Sequence, residues 1–149
     1  LIEIEANYAL GIANYKIKNY DKAKQPLAWV IENTTSEKSA ESRYVLAEIF
    51  FAQSFYKESN EEITNLIKQK PSYNYWIAKG LMLRSKVLIF QNELFQSEEN
   101  LKSIIEHYPI ANDGILDEAN DLWSELMQLK EVEKEIVKED GLELEISDE

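Results

Sequence analysis

The scarcity of helix breakers constrains this chain more than any other feature. Only four glycines and three prolines are spread over 149 residues, so long stretches contain nothing to interrupt a helix. Apolar residues recur through those stretches at helical spacing. The spacing predicts a first helix over 1–18, carrying Ile4, Tyr8, Ile12 and Tyr15, and a second over 21–33 with Ala23, Leu27, Val30 and Ile31. Pro26 falls near the start of the second, where one missing N–H is tolerated. A polar break at 34–39 precedes a third helix over 40–55, rich in Leu46, Ile49, Phe50 and Phe51. A fourth covers 59–69 and is closed by Pro71. Segments 73–91 and 94–107 make the next pair, closed by Pro109, and a long amphipathic helix is expected over 113–138. The fold class is therefore all-α.

Charge and residue inventory remove most functional classes. Acidic side chains outnumber basic ones 28 to 16, for a net charge of −12. Binding to a phosphate backbone depends on clustered Lys and Arg, so no nucleic-acid partner is expected. No apolar run approaches the ~18 residues of a membrane-spanning helix. Without cysteine there is no disulfide, thiolate nucleophile or Cys zinc site, and His107 is the single histidine. Carboxylate pairs such as Glu61-Glu62 and Glu98-Glu99 fall on polar helix faces, whereas a catalytic pair needs an apolar pocket to split its pKa values. Asp113-Gly114…Asp117-Glu118 lacks the alternating oxygen ligands of a calcium loop. It is better explained by Asn112 or Asp113 capping a helix N-terminus. His107, before Tyr108-Pro109, suits a helix C-terminus. Hence no catalytic, metal or cofactor site is expected, and the chain is read as not an enzyme.

The helices recur in order. Pro71 and Pro109 stand 38 residues apart, each after an apolar pair (Leu66-Ile67, Ile104-Ile105). A shift of 36 lays Leu46-Ala47 on Leu10-Gly11, Tyr56 on Tyr20, Ile63 on Leu27 and Leu66 on Val30. Three helical hairpins result, over about 5–36, 41–72 and 79–110. Gly11, Ala47 and Ser85 occupy equivalent places, where a small residue lets two helices approach closely.

These residues resemble the tetratricopeptide repeat (TPR), whose pattern places Leu-Gly/Ala in the first helix, Tyr at the turn, then Ala, a large apolar residue and a final Pro. Leu10-Gly11, Tyr20, Ala23 and Leu27 match in the first copy. Leu46-Ala47, Phe50, Tyr56, Ile63 and Pro71 match in the second, and Ser85, Leu88, Leu94, Ser97, Leu101 and Pro109 in the third. Departures include Asn7 and Arg43 where the family often has Trp, Thr35 for the first Pro, Arg84 for the patterned Leu, and Ser59 and Ser97 for the patterned Ala. The resemblance implies a right-handed α-α superhelix of three hairpins with a capping helix over 113–138. It also implies the C-terminal part of a longer bacterial array, with a lean towards the periplasm or cell envelope. It implies a non-catalytic scaffold that holds a protein segment in a concave groove lined by the first helix of each hairpin. The matching positions are Tyr8, Ile12 and Tyr15; Tyr44, Val45, Glu48 and Phe51; and Met82, Leu83, Lys86, Ile89 and Phe90. Tyr8, Tyr44 and Glu48 are the ones expected to be most exposed, while several of the others serve equally well as core. The slots that clamp acidic C-terminal peptides in some family members hold Tyr8, Ile12 and Val45 here, with only Lys79 retained. The expected partner is a protein or peptide segment, with self-association left open. A purely structural cap of a longer solenoid is the alternative.

Two features remain. Tyr73, Tyr75 and Trp76 cluster at the start of the fifth helix and suit either an interface or the locking of one hairpin onto the next. The end of the chain, 139–149, is an acidic tail in which Gly141 is expected to end the helix. Leu142, Leu144 and Ile146 then alternate with acids, a period-two pattern that suits either an unstructured tail or a strand paired with another chain.

Overall fold

The structure, a computed structural model, describes residues 1–146, with side chains through residue 138. Seven helices follow one another: α1 (Ile2–Lys16), α2 (Tyr20–Asn33), α3 (Glu37–Ala52), α4 (Tyr56–Lys68), α5 (Asn74–Phe90), α6 (Leu94–His107) and α7 (Ile115–Ile146). There is no strand among the described residues, and none of the described helices is long and apolar enough to cross a membrane.

Each of the first three helix pairs turns in the same way. Lys18, Ser54 and Asn92 all have φ near +60°, and each sits seven residues after the small residue of its hairpin. The N–H of each bonds back to a carbonyl three residues earlier, and the next N–H reaches five residues back. These pairs are Lys18→Tyr15 and Asn19→Asn14, Ser54→Phe51 and Phe55→Phe50, and Asn92→Ile89 and Glu93→Leu88, at 2.8–3.0 Å. This is the Schellman ending of a helix. It reverses the chain so tightly that α2, α4 and α6 begin within two residues, which is why α4 starts at Tyr56 rather than at 59.

The tight turn requires a close crossing. Gly11 is fully buried, and a Cβ there would stand 2.7 Å from Leu27 Cγ. In the next two hairpins the crossing is tied by a hydrogen bond at the same spacing: Ser59 Oγ donates to the Ala47 carbonyl (2.9 Å) and Ser97 Oγ to that of Ser85 (3.1 Å). The serines that depart from the family pattern thus satisfy their hydroxyls inside the core, where an unpaired one would be costly.

The pairs then stack. Besides the packing within hairpins, α2 lies on α3, α4 on α5 and α6 on α7, while α1, α3, α5 and α7 touch in succession. No even-numbered helix touches another even-numbered one among α2, α4 and α6, so the odd-numbered layer is the tighter side. This packing of consecutive helices is consistent with helical repeats. One core cluster centres on Leu27, Ile49, Ile63 and Leu66, and a second on Met82, Leu101, Ile115 and Leu126. Cross-helix ion pairs reinforce the seams: Arg43–Glu62 at 3.2 Å joins α3 to α4, and Lys130 pairs with Glu98 across α7 and α6. Glu62 and Glu98, expected to be free surface charges, are therefore half-buried partners.

α7 departs from expectation at both ends. It begins after Gly114, where Asp113 Oδ1 accepts the Ile115 N–H at 3.2 Å, so Asp113 rather than Asn112 supplies the turn-closing carboxylate. It continues through Gly141 to Ile146 instead of ending there. A mid-helix glycine costs only about 1 kcal/mol against alanine, and its Leu and Glu neighbours are good helix formers. The expected pairing or freedom of the side chains in 142–146 lies outside the described residues, as do residues 147–149. The first half of α7 buries Ile115, Ala119, Leu122 and Leu126, but Leu129, Val132, Ile136 and Val137 stay exposed. A 32-residue helix overhangs a 14-residue α6, so the second half meets the body only along one edge, where Leu129, Val132 and Ile136 line an open cleft with Ile89 and Leu94.

Two outcomes test this architecture. Ala47→Leu should destabilise by ~1–3 kcal/mol through overpacking at the crossing, and an unchanged thermal melt would refute the hairpin alignment. Lys18→Gly and Ser54→Gly should each stabilise by about 0.5–1 kcal/mol by relieving a side chain at positive φ. Asn92→Gly should gain less, since asparagine tolerates that conformation. Urea midpoints of the three variants check the order.

Candidate functional site

The tighter, odd-helix side of the array carries a continuous ladder of tyrosines and carboxylates. Between α1 and α3 the rungs share one register, each joining residues 33 apart: Glu5 to Lys38 (3.1 Å), Tyr8 to Glu41 and Tyr15 to Glu48. In the latter two the phenol donates and the carboxylate accepts. Glu48 also accepts from Tyr44 one turn earlier on its own helix. Lys38 Nζ lies 5.4 Å from the centre of the Tyr8 ring, so its charge is held between a carboxylate and an aromatic face.

The ladder continues onto α5 and α7. The Trp76 ring packs on Tyr44 at 5.6 Å, and its Nε1 donates to Glu37 (3.2 Å). Tyr73 donates to the Thr35 carbonyl (3.2 Å), and Tyr75 meets Trp76 edge-on. Trp76 and Tyr73 therefore tie the third hairpin to α3 and the linker before it, the locking alternative for this cluster. Lys79 Nζ sits 5.5 Å above the Tyr44 ring and pairs with both oxygens of Glu118 on α7 (2.8 and 2.9 Å). Lys79, the basic residue expected at a clamp position, is thus already paired with a carboxylate. At the far end of α3 and α5, Phe51 and Phe90 meet Tyr56 of α4 as a triad with centroids 5.4–6.0 Å apart.

The structure redistributes the candidate residues. Val45, Met82 and Leu83 are buried in the core, and Tyr44, expected to be exposed, is only 8 % accessible. The physical reason is that α3 and α5 are each sandwiched between the hairpins on either side, so nearly their whole circumference is covered. Tyr8, Ile12, Tyr15, Glu48, Phe51, Lys86 and Ile89 are half-buried, and Phe90 is 68 % exposed. Tyr8, Tyr15, Tyr44 and Glu48 are brought together. Phe51 and Phe90 meet separately at the turn end. Sequence reasoning missed Glu37, Lys38, Glu41, Trp76 and Glu118 as parts of this face. The repeated spacing of 33 between Tyr and Glu was the available signal.

Burial is the first cause of a raised pKa at Tyr8, Tyr15 and Tyr44, followed by the neighbouring Glu41 or Glu48 carboxylate. All three phenols stay protonated and keep donating. Glu5, Glu37, Glu41, Glu48 and Glu118 against Lys38 and Lys79 leave the face acidic.

Elsewhere, a cleft of about 300 Å³ opens between α5 and α6, with Asn74, Leu81, His107 and Tyr108 on its wall. Tyr108 donates to Asp113, and burial followed by that carboxylate pushes its phenol up to about 12. His107 Nδ1 lies 3.0 Å from the Ser103 carbonyl of its own helix. Among the described residues no group of three or more His, Asp or Glu is placed to hold a metal ion.

No family model matches the chain, and no curated protein matches it either.

The phenols imply a pH response. An acid whose folded pKa is raised keeps its proton in the folded state while the unfolded chain ionises near pH 10. Stability should therefore be unaffected by these groups below about pH 10 and should fall as the pH rises beyond it. Urea melts at a series of alkaline pH values should show the decline, with a shallower slope for Tyr15→Phe. An equal slope in the variant would remove Tyr15 from the ladder.

Proposed function

We propose that the chain is a non-catalytic protein–protein interaction scaffold of the TPR type, which holds an extended protein segment along the odd-helix face. The observation that supports this reading is the Tyr8–Glu41, Tyr15–Glu48, Lys79–Glu118 ladder, which crosses four helices on one side of the array. Its side chains are ordered in advance by mutual hydrogen bonds, so a ligand loses little affinity to ordering them. Half-exposed aromatic rings offer apolar contact, and the surrounding carboxylates favour a segment bearing Lys or Arg. A bacterial, cell-envelope setting belongs to the same proposal and rests on the resemblance alone.

The alternative, a structural cap within a longer solenoid, is favoured by one observation: the outer face of α1 leaves Ile2, Leu10 and Ile17 exposed.

A displayed peptide library panned against the folded chain tests the scaffold reading. Enriched sequences should combine basic and aromatic or aliphatic residues. Glu41→Lys with Glu118→Lys should weaken their binding at least tenfold while leaving the helical signal intact. Tyr44 is unsuitable as a probe, because its removal would open the core. If no sequence is enriched, or if the doubly reversed chain binds the same peptides equally well, the odd-helix face is not a binding surface.

A further inference from the structure

α1 presents an apolar face that nothing among the described residues covers. Ile2, Leu10 and Ile17 are 85 %, 53 % and 73 % exposed, and Ala6, Ala9 and Ala13 lie between them, also exposed. These six positions fall on one side of the helix, opposite buried Gly11. No charged residue interrupts them.

The same positions are covered in the two later hairpins. A shift of 36 turns Ala6, Ala9, Leu10 and Ala13 into Ser42, Val45, Leu46 and Ile49, all buried on α3, which packs on α2. A further 38 gives Gly80, Leu83, Arg84 and Val87 on α5, which packs on α4. There the contact is explicit. A Cβ on Gly80 would come within 3.1 Å of Leu66 Cδ2, and the Arg84 guanidinium donates to the Asn60 carbonyl (3.3 Å) and Thr64 Oγ (2.8 Å) of α4. The first of these positions is small in all three hairpins (Ala6, Ser42, Gly80). On α5 the small residue makes room for a leucine from the preceding second helix. On α1 the room is kept and the leucine is missing.

We infer that the Ile2–Leu10–Ile17 face of α1 docks an amphipathic α-helix with an uncharged aliphatic seam, seated as α2 sits on α3. The occupant follows from continuity of the α2–α3 and α4–α5 interfaces. Leu10 matches Leu46 rather than Arg84, so the seam is that of α2 (Leu27, Val30, Ile31) and carries no polar partner for a guanidinium. A charged group facing the six positions would be desolvated without a partner. The inference does not rest on the groove reading, which concerns a different face of α1.

The test is the full chain carrying a second copy of residues 20–36 directly before Leu1, which restores the spacing between α2 and α3. The added helix should raise the melting temperature by roughly 5 °C or more, and its amides should be protected from exchange. Leu10→Glu should cancel that rise, yet leave the melt of the unextended chain nearly unchanged, because Leu10 is exposed there. An extended chain that melts with the parent, or a gain that survives Leu10→Glu, overturns the inference. Sedimentation of the unextended chain should show a monomer. A dimer abolished by Leu10→Glu would mean that the face belongs to a second copy, and would overturn it too.

Discussion

The close crossing of the two helices in each hairpin is the contact on which the rest of the structure depends. Gly11 against Leu27, and the Ser59 and Ser97 hydroxyls on the carbonyls of Ala47 and Ser85, bring the helices together with almost no side chain between them. That closeness is possible only because the chain reverses through a Schellman ending in two residues. The reversal in turn places a non-glycine residue at positive φ in each hairpin, a local cost of the order of 1 kcal/mol accepted for the tertiary contact. A looser turn would separate the helices, and larger residues at the crossing would do the same.

Once three such hairpins exist, stacking follows from their uncovered faces. α3 and α5 are each buried on one side by their own partner and on the other by the second helix of the preceding hairpin. This explains why Tyr44, Val45, Met82 and Leu83 are interior although they occupy first-helix positions. On the odd-helix side only the strip between successive first helices stays partly open. The side chains in that strip are amphipathic: tyrosine rings that cover apolar surface, with hydroxyls tied to carboxylates, and lysines neutralised by glutamates. It is an ordered, acidic, aromatic surface.

The two ends of the array differ in how they finish. At the last hairpin α7 covers the α5–α6 core with Ile115, Ala119, Leu122 and Leu126 and then overhangs it. At the first hairpin α1 keeps the small and aliphatic residues that its counterparts use to receive a helix. Both ends leave apolar area in water, but only the α1 face repeats an interface seen twice inside the molecule.

The sequence by itself determined the helices and their order. Four glycines and three prolines cannot break 149 residues often, and apolar spacing is a local property that needs no partner to be read. The 36- and 38-residue shifts likewise exposed the three hairpins, since the crossing demands a small residue at one place in each. Which side of each helix meets which neighbour was decided only by the tertiary structure. Burial of Tyr44 depends on Trp76, 32 residues later, and the roles of Glu41, Glu48 and Glu118 depend on a stacking offset that neither helix encodes alone. The extension of α7 past Gly141 is of the same kind, a weak local penalty outweighed by the helix formers on either side. Periodicity fixes what a helix can bury; only the packed array decides what it does bury.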